Sequence, residues 1–529
     1  MNRRDFLSAT FGTGLLRAQS RRPNIILILA DDLGYSDLGC YGGEIATPHL
    51  DKLAAGGMRF TQFYTSARCC PSRASLMTGR HPHQSGMGNM TGGSSTLDGY
   101  TGKMDPRAVM MPRVLREAGY STLMCGKWHL GKPDPTDWGF DEFYGMLHGF
   151  DSFWDASKYT RLPAGRTKRE YANFYATNAI TDHALDFVTA ARKSAKPYFL
   201  YLAYNAPHFP LHAPKELIDK YVPVYEKGWD SIREKRFARQ RELGIVGKNA
   251  RLTPRSVVGP NRVSSVNGWA ERPNPAWDTI EPARRADLAR RMAIFAAMVD
   301  TMDRNIGRLI ADLKANGEID NTVIFFLSDN GACAEWDPWG FDLRSGPDNV
   351  LHQGEQLQRM GQPGTYHSYG SGWANACNTP WRLYKHYMHE GGISTPLIAH
   401  WPPHIKAGSF CNEPGHLIDL MPTVAAIAGA NPPAEVEGVS VEPSLKGKKR
   451  NRPPLFWEHE GNRAMRDGKW KLVALGAAGP WELYDMERDR AELNNIAAKY
   501  PQRVRAMAEQ WERWAKRTHA LPWIWKPQY

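Results

Sequence analysis

The clearest pattern in the chain is a set of short, almost wholly apolar runs. The first, NIILILA at 24–30, suits a strand buried on both faces, because a half-exposed strand would alternate. YSTLMCG at 120–126, PYFLYLAYN at 197–205, TVIFFLSDNG at 322–331 and TPLIAHWP at 395–402 read the same way. Between them apolar residues recur with helical spacing, notably over 178–193 and 284–315. A further helix is expected in TPHLDKLAAGG, with Thr47 as N-cap, Pro48 at the first helical position and Gly56-Gly57 closing it. Strands alternating with helices predict an α/β fold: a large mixed, mostly parallel sheet flanked by helices on both faces.

The pattern changes near residue 445. RAMRDGKWKLVAL and WELYDME read as short antiparallel strands, and a charged, Trp-rich helix follows over 498–517. The expected division is therefore a leader segment over 1–20, a large α/β domain over 21–445 and a smaller C-terminal α+β domain over 446–529. Segments 257–282 and 335–380 are rich in Gly, Pro, Asn and Trp without sustained periodicity, as expected of functional walls or lids. With 84–105 and 148–175 they are the expected seat of specificity.

Composition agrees with a globular chain: 529 residues, 42% hydrophobic and 23% charged. The formal charge of +12 admits nucleic acid, an anionic surface or a small anionic substrate. The densest basic stretch, REKRFARQRELGIVGKNAR at 233–251, is broken by glutamates and lacks a nucleic-acid motif, so it is expected to be a solvated helix face. The N-terminus pairs Arg3 and Arg4 with Asp5, Phe6 and Leu7 ahead of a short apolar stretch, which resembles a bacterial twin-arginine export signal and predicts a periplasmic protein. No other run is long and apolar enough to predict stable membrane insertion. The seven cysteines, 40, 69, 70, 125, 333, 377 and 411, form no zinc spacing and specify no disulfide.

Candidate chemistry gathers at strand ends. Asp31 and Asp32 follow the first strand, and Asp329 and Asn330 end the fourth. All four are hard oxygen donors that suit Ca²⁺ or Mg²⁺ and offer nothing soft for zinc. In ARCCPSRASLMTGR (67–80), Pro71 fits the first turn of a helix and Gly79 its end, which places Cys69 and Cys70 at a helix N-terminus. Free N–H groups there, with Arg73 and Arg80, favour an anion and acidify a thiol.

Cys69-Cys70-Pro71-Ser72-Arg73 followed by ASLMTGR resembles the C-x-P-S-R-x-x-x-x-T-G-R signature of type I, formylglycine-dependent sulfatases, members of the alkaline phosphatase superfamily. DDLGYSDLG (31–39), GKWHLG (126–131), NAPHFPLHAP (205–214), SDNG (328–331) and HEGGISTPLIAHWP (389–402) occur in that family's order. The stretch 372–402 resembles the arylsulfatase branch in particular. The likeness runs from residue 24 to about 485.

The resemblance implies an alkaline-phosphatase-like fold and hydrolysis of a small sulfate ester, aryl or related. It implies that a formylglycine-generating enzyme oxidises Cys69 to an aldehyde, whose hydrate attacks sulfur with one oxygen and later expels sulfate with the other. It implies one Ca²⁺ per chain, with Mg²⁺ less favoured, on Asp31, Asp32, modified Cys69, Asp329 and Asn330. Arg73 would hold the diol and Lys127 and Lys385 the sulfate. His208 would protonate the leaving oxygen, and His129 would take the proton that restores the aldehyde. Cys70 fills the signature's variable position and is expected to pack. His212 is left open between substrate wall and scaffold. His83, His386 and His389 stand outside the catalytic set, and WEHEGNRA (457–464) is an expected substrate contact from the second domain. Two alternatives remain at this point: a phosphonate or phosphodiester hydrolase of the same superfamily, and a non-catalytic binding or thiol/metal protein.

Overall fold

The structure is a computed structural model, and it describes residues 22–525 apart from 260, 261, 335 and 345. The expected export signal at 1–20 lies outside the described residues. Ten strands form one sheet: β1 (Asn24–Ala30), β2 (Met58–Tyr64), β3 (Ser121–Lys127), β4 (Glu142–Met146), β5 (Thr160–Leu162), β6 (Tyr198–Ala203), β7 (Thr322–Ser328), β8 (Ser394–His400), β9 (Ser409–Cys411) and β10 (Gly415–His416). Their order is β10-β2-β8-β7-β1-β6-β3-β4-β5, with β9 also pairing β2. The five central neighbours β7-β1-β6-β3-β4 are mutually parallel, whereas β8 runs antiparallel to both β7 and β2.

Although β1 is buried throughout, its residues still divide by parity. Ile26, Ile28 and Ala30 join one core with Leu200, Leu202, Ile324 and Phe326, beneath helices Ala176–Arg192 and Pro282–Ala315. Ile25, Leu27 and Leu29 join a second core with Phe199, Tyr201, Val323 and Phe325. Helices Cys69–Thr78, Met111–Glu117 and Leu420–Ala428 cover that face. An unbroken apolar run thus serves two cores at once, which is why it lacks visible alternation.

Helix Pro48–Gly56 begins and ends as its sequence predicts, but Thr47 does not cap it with its side chain. The Thr47 hydroxyl instead accepts from Gly39 N and donates to Asp51. Asp303, on the 34-residue helix Pro282–Ala315, accepts from His49 N and Leu50 N at 3.1 and 2.8 Å and supplies the missing cap. The basic stretch at 233–251 also differs from expectation. Helix Gly228–Glu242 buries Arg233 and Arg236, and Arg236 pairs with Asp37 at 2.6 Å and Glu44 at 2.7 Å. The acidic loop that follows β1 needs this cation, so the helix turns one charged side inward.

The C-terminal domain is a four-stranded antiparallel sheet, β11 (Leu455–His459), β12 (Asn462–Asp467), β13 (Trp470–Ala474) and β14 (Glu482–Asp485), in sequence order. Met465, Leu472 and Leu483 face Met507, Trp511 and Trp514 of helix Pro501–Arg517. Leu455, Trp457, Ala464 and Val473 face Tyr64, Ala67, Met388 and Ile393. The small sheet is therefore packed against the end of β2 and the start of β8.

Candidate active site

The parallel block brings the C-terminal ends of β7, β1, β6 and β3 side by side, where α/β sheets place ligands. Ala30 is in register with Ser328, and Leu29 and Gly126 both pair with Ala203. The residues that leave these strands are Asp31 and Asp32, Asp329 and Asn330, and Lys127, with His129 and His208 on the loops beyond. Because β2 runs parallel to the block, its end delivers helix Cys69–Thr78 to the same edge. The reversed β8 starts at that edge, so Lys385 precedes it there. Every sequence-predicted site residue thus lies at one sheet edge.

The backbone is unusual at three points. Asp32 and His129 have φ of 65° and 55°, the left-handed region in which short polar residues and histidine are over-represented. Gly126 has φ of 114°, and a Cβ there would lie 1.8 Å from the Ala203 carbonyl oxygen. Only glycine lets β3 and β6 approach so closely just before Lys127 turns in.

Six opposed charges occupy the centre. Lys127 Nζ lies 2.5 Å from Asp31 Oδ2, and Lys385 Nζ lies 2.7 and 2.9 Å from the two oxygens of Asp32. Arg73 donates from Nε and Nη2 to Asp329 Oδ2 at 3.2 and 2.9 Å and from Nη1 to the Lys127 carbonyl at 2.8 Å. Asn330 Nδ2 donates to Asp32 Oδ1 at 2.6 Å. Burial alone would raise the Asp31 carboxyl, but Lys127, His208 and Arg73 outweigh it and hold it below the usual carboxylate range. At Asp329 burial, with Asp31 beside it, wins over Arg73 and pushes the carboxyl well up. Such crowding of carboxylates is relieved by a cation. Two buried oxygens, Asp31 Oδ1 and Asn330 Oδ1, have no hydrogen-bond partner. Asp31, Asp32 and His208 each present a ligand atom within 4.8 Å of the others. The oxygen donors of Asp31, Asp32, Asp329 and Asn330, two of them orphaned acceptors, fit a hard divalent ion.

Cys69 is the first residue of its helix, and Arg68 is the N-cap. Its sulfur lies within 4.8 Å of a His129 nitrogen and of the Cys70 sulfur. A hydrogen bond from Cys70 lowers the Cys69 thiol well below its ordinary range despite burial, and His129, Lys127 and Lys385 add to the effect. Cys70 is pushed up by burial and packs in the core with Ala74 and Met77. All seven cysteines are buried and none is in a disulfide. Burial holds His129 down at about 4, and its Nδ1 has no hydrogen-bond partner. His208 is pinned differently: Nδ1 donates to the Phe209 carbonyl at 2.6 Å, which leaves Nε2 facing the centre, 3.5 Å from Asp32 Oδ2.

The remaining histidines sort themselves. His212 is scaffold, accepting from Phe153 N and bonding the Thr365 carbonyl. His83 pairs with Glu458 at 2.7 Å, and His389 with Glu482 at 3.4 Å. His386, next to Lys385, bonds Glu460 at 2.6 Å, while Glu460 also lies 3.7 Å from Arg68. Glu460 and Asn462, from the segment 457–464, line one cleft with Lys385, His386 and Trp336. Gly149 and Phe150, which sequence reasoning placed within the expected specificity loop 148–175 without singling them out, lie against His129 and His208 respectively. No local signal marks an isolated Gly-Phe in a loop.

A family model described as Sulfatase matches residues 23–430, and one described as N-sulphoglucosamine sulphohydrolase, C-terminal, matches 380–517. The chain is 34% identical to an uncharacterised sulfatase of Schizosaccharomyces pombe, covering 94% of each chain. It is 33% identical to an arylsulfatase of Klebsiella aerogenes, covering 80% of this chain and 91% of that one. The crystal structure of Ps i-CgsB in complex with k-i-k-neocarrahexaose superposes with a TM-score of 0.67 at 27% identity, covering 96% and 95%. With this match along nearly its whole length, the chain belongs to the sulfatase family, as a type I sulfatase of the alkaline phosphatase superfamily and a sulfuric ester hydrolase.

Proposed function

We propose that the chain cleaves small sulfate monoesters with formylglycine at position 69 as nucleophile and Ca²⁺ held by Asp31, Asp32, Asp329, Asn330 and residue 69. The observation that carries this is the placement of Cys69 beside His129, at the sheet edge where two buried lysines meet the carboxylates of Asp31 and Asp32. When bound, the cation supplies positive charge that offsets developing negative charge on the nucleophile and the sulfate oxygens.

The chain's own residues account for the rest. Lys127 and Lys385 are buried cations that bind and orient the sulfate. Arg73, fixed on Asp329 and on the Lys127 carbonyl, orients the residue-69 side chain one helical turn before it. His208 donates a proton from Nε2 to the leaving ester oxygen, its ring held in place by Nδ1 on the Phe209 carbonyl. His129 is buried and neutral at pH 7, so it accepts the proton whose loss releases sulfate and restores residue 69. This assignment includes maturation of Cys69 by a formylglycine-generating enzyme and export to the periplasm through the Arg3-Arg4 signal.

Relatives include an arylsulfatase and a protein crystallised with a neocarrahexaose, so the substrate panel spans aryl and sugar sulfates. Protein from a host with the maturation enzyme is digested, and residue 69 is read by mass spectrometry. Sulfate release is then measured across the panel, with an aryl phosphate diester alongside. Sulfate esters turned over faster than the diester, by protein carrying the aldehyde, are expected. Faster turnover of the diester, or full activity with an intact thiol at 69, would overturn the assignment.

A further inference from the structure

One short segment touches both site histidines. Gly149 lies against His129: a Cβ at position 149 would be 2.8 Å from His129 Nε2. The next residue, Phe150, lies beside His208, with ring centroids 6.2 Å apart and planes within 20° of parallel. Behind it Phe209 meets Phe150 edge-on at 5.3 Å, and Phe341 packs on Phe209 at 4.8 Å. The side of the centre that carries the His208 proton donor is therefore walled by aromatic rings.

Phe150 is also 48% exposed, which is unusual for a large apolar side chain with partners so close. Five of the six exposed large hydrophobics among the described residues, Phe150, Val257, Val266, Leu343 and Val350, sit on the loops at 148–175, 257–282 and 335–380. Two of those loops reach the site directly. Val258 lines the cleft with Lys385, and Phe341 is part of the aromatic wall. An exposed aromatic face beside the proton donor, between loops that reach the site, suits a ligand-binding wall.

We propose that Phe150 is the specificity platform of this enzyme: the leaving group of the sulfate ester is a ring whose flat apolar face stacks on Phe150 while His208 Nε2 meets the ester oxygen. The shared chemistry is a flat apolar ring face, found on an aryl group and on one face of a pyranose. The platform presupposes the sulfatase chemistry proposed above but adds to it, since the sulfate-binding lysines are indifferent to what the sulfate is attached to. An acyclic alkyl sulfate offers the same sulfate with nothing to stack.

Wild type, Phe150→Ala and Phe150→Trp, each with residue 69 verified by mass spectrometry, are compared on an aryl sulfate, a pyranose sulfate and an acyclic alkyl sulfate. Phe150→Ala should raise KM for the preferred ring ester about fivefold to tenfold, the size of one aromatic contact, with kcat nearly unchanged. It should leave the alkyl ester and inhibition by inorganic sulfate unaffected, and Phe150→Trp should retain wild-type KM. A larger loss on the aryl ester identifies an aryl leaving group, and a larger loss on the pyranose identifies a sugar. Equal loss on all three esters, or no loss on either ring ester, overturns the platform while leaving the sulfatase assignment intact. Wild type that bears the aldehyde and releases sulfate from none of the esters overturns both.

Discussion

At the residue scale, two adjacent thiols have opposite surroundings. Cys69 is flanked by His129, Lys127 and Lys385, whereas Cys70 sits among Ala74, Leu76 and Met77. Cys69→Ala should abolish turnover. Cys70→Ser should retain most of it, within about threefold, losing chiefly stability because a hydroxyl replaces a buried apolar thiol. Turnover per mole of protein checks the first, and assays at matched extent of residue-69 modification check the second. His208 carries a sharper prediction. A general acid matters most for a basic leaving group, so His208→Ala should lose about 100-fold or more on an alkyl sulfate. On a nitrophenyl sulfate it should lose less than tenfold, and a kcat/KM series against leaving-group pKa reads the difference. Uniform loss along that series would remove His208 from the proton-donor role. The residue types and their motif order were legible in the chain. The pairing of each cation with its carboxylate was not, because Lys385 and Asp32 are 353 positions apart.

At the element scale, the site is a consequence of parallel strands that end together. Five apolar runs announced β1, β3, β6, β7 and β8, and each falls within two residues of its expected start. β2 (MRFTQFY) was not announced, although it is the strand that feeds Cys69 to the site. Its buried positions follow the pattern BiBBiBB, and the register shift between Phe60 and Phe63 breaks the regular alternation that would have revealed it. Helix Gly370–Cys377 inside an expected loop was missed for a related reason: its stability comes from complete burial rather than from helix-forming residues. The same scale explains Gly126. Gly126→Ala must open β3 from β6, displacing Lys127, so kcat/KM should fall at least 50-fold together with the thermal midpoint. Activity and melting measured on the same preparation test this, and unchanged melting with an alanine there would show the strands can separate without strain.

At the scale of the whole molecule, the small C-terminal sheet braces the segment that carries Lys385. Lys471 on β13 is fully buried between Glu390 at 2.9 Å and Glu492 at 2.7 Å, and Arg490 adds a second cation on Glu390. Lys471→Met leaves two buried carboxylates without that partner and should cost about 3–5 kcal/mol, read from urea unfolding. Acid should destabilise the protein as well. Burial holds His81 and His416 at about 3 and His183 and His212 at about 4, below the ordinary value of 6.5. Between pH 6.5 and 4 the unfolded chain binds protons that the folded chain refuses, so stability falls as pH falls through that window. The urea midpoint should decline across it, and His183→Gln should flatten the decline. Chelation should lower the melting temperature by roughly 5 °C relative to saturating Ca²⁺, and added Ca²⁺ should restore it. An unchanged melt would argue against the ion at Asp31, Asp32, Asp329 and Asn330.

The sequence by itself determined what is local. Apolar runs of strand length, the Pro71 and Gly79 boundaries of the Cys69 helix and the acids at strand ends are encoded within a dozen residues each, and so are the motifs that identify the family. Only the tertiary structure decided what depends on distant partners. Asp303 rather than Thr47 caps helix Pro48–Gly56, Arg236 is drawn inward by Asp37 and Glu44, and Gly149 and Phe150 lie against His129 and His208 respectively. Periodicity reports which side of an element is buried, but it carries no information about what the other side meets. That is set by strand order and register, which only the assembled sheet specifies.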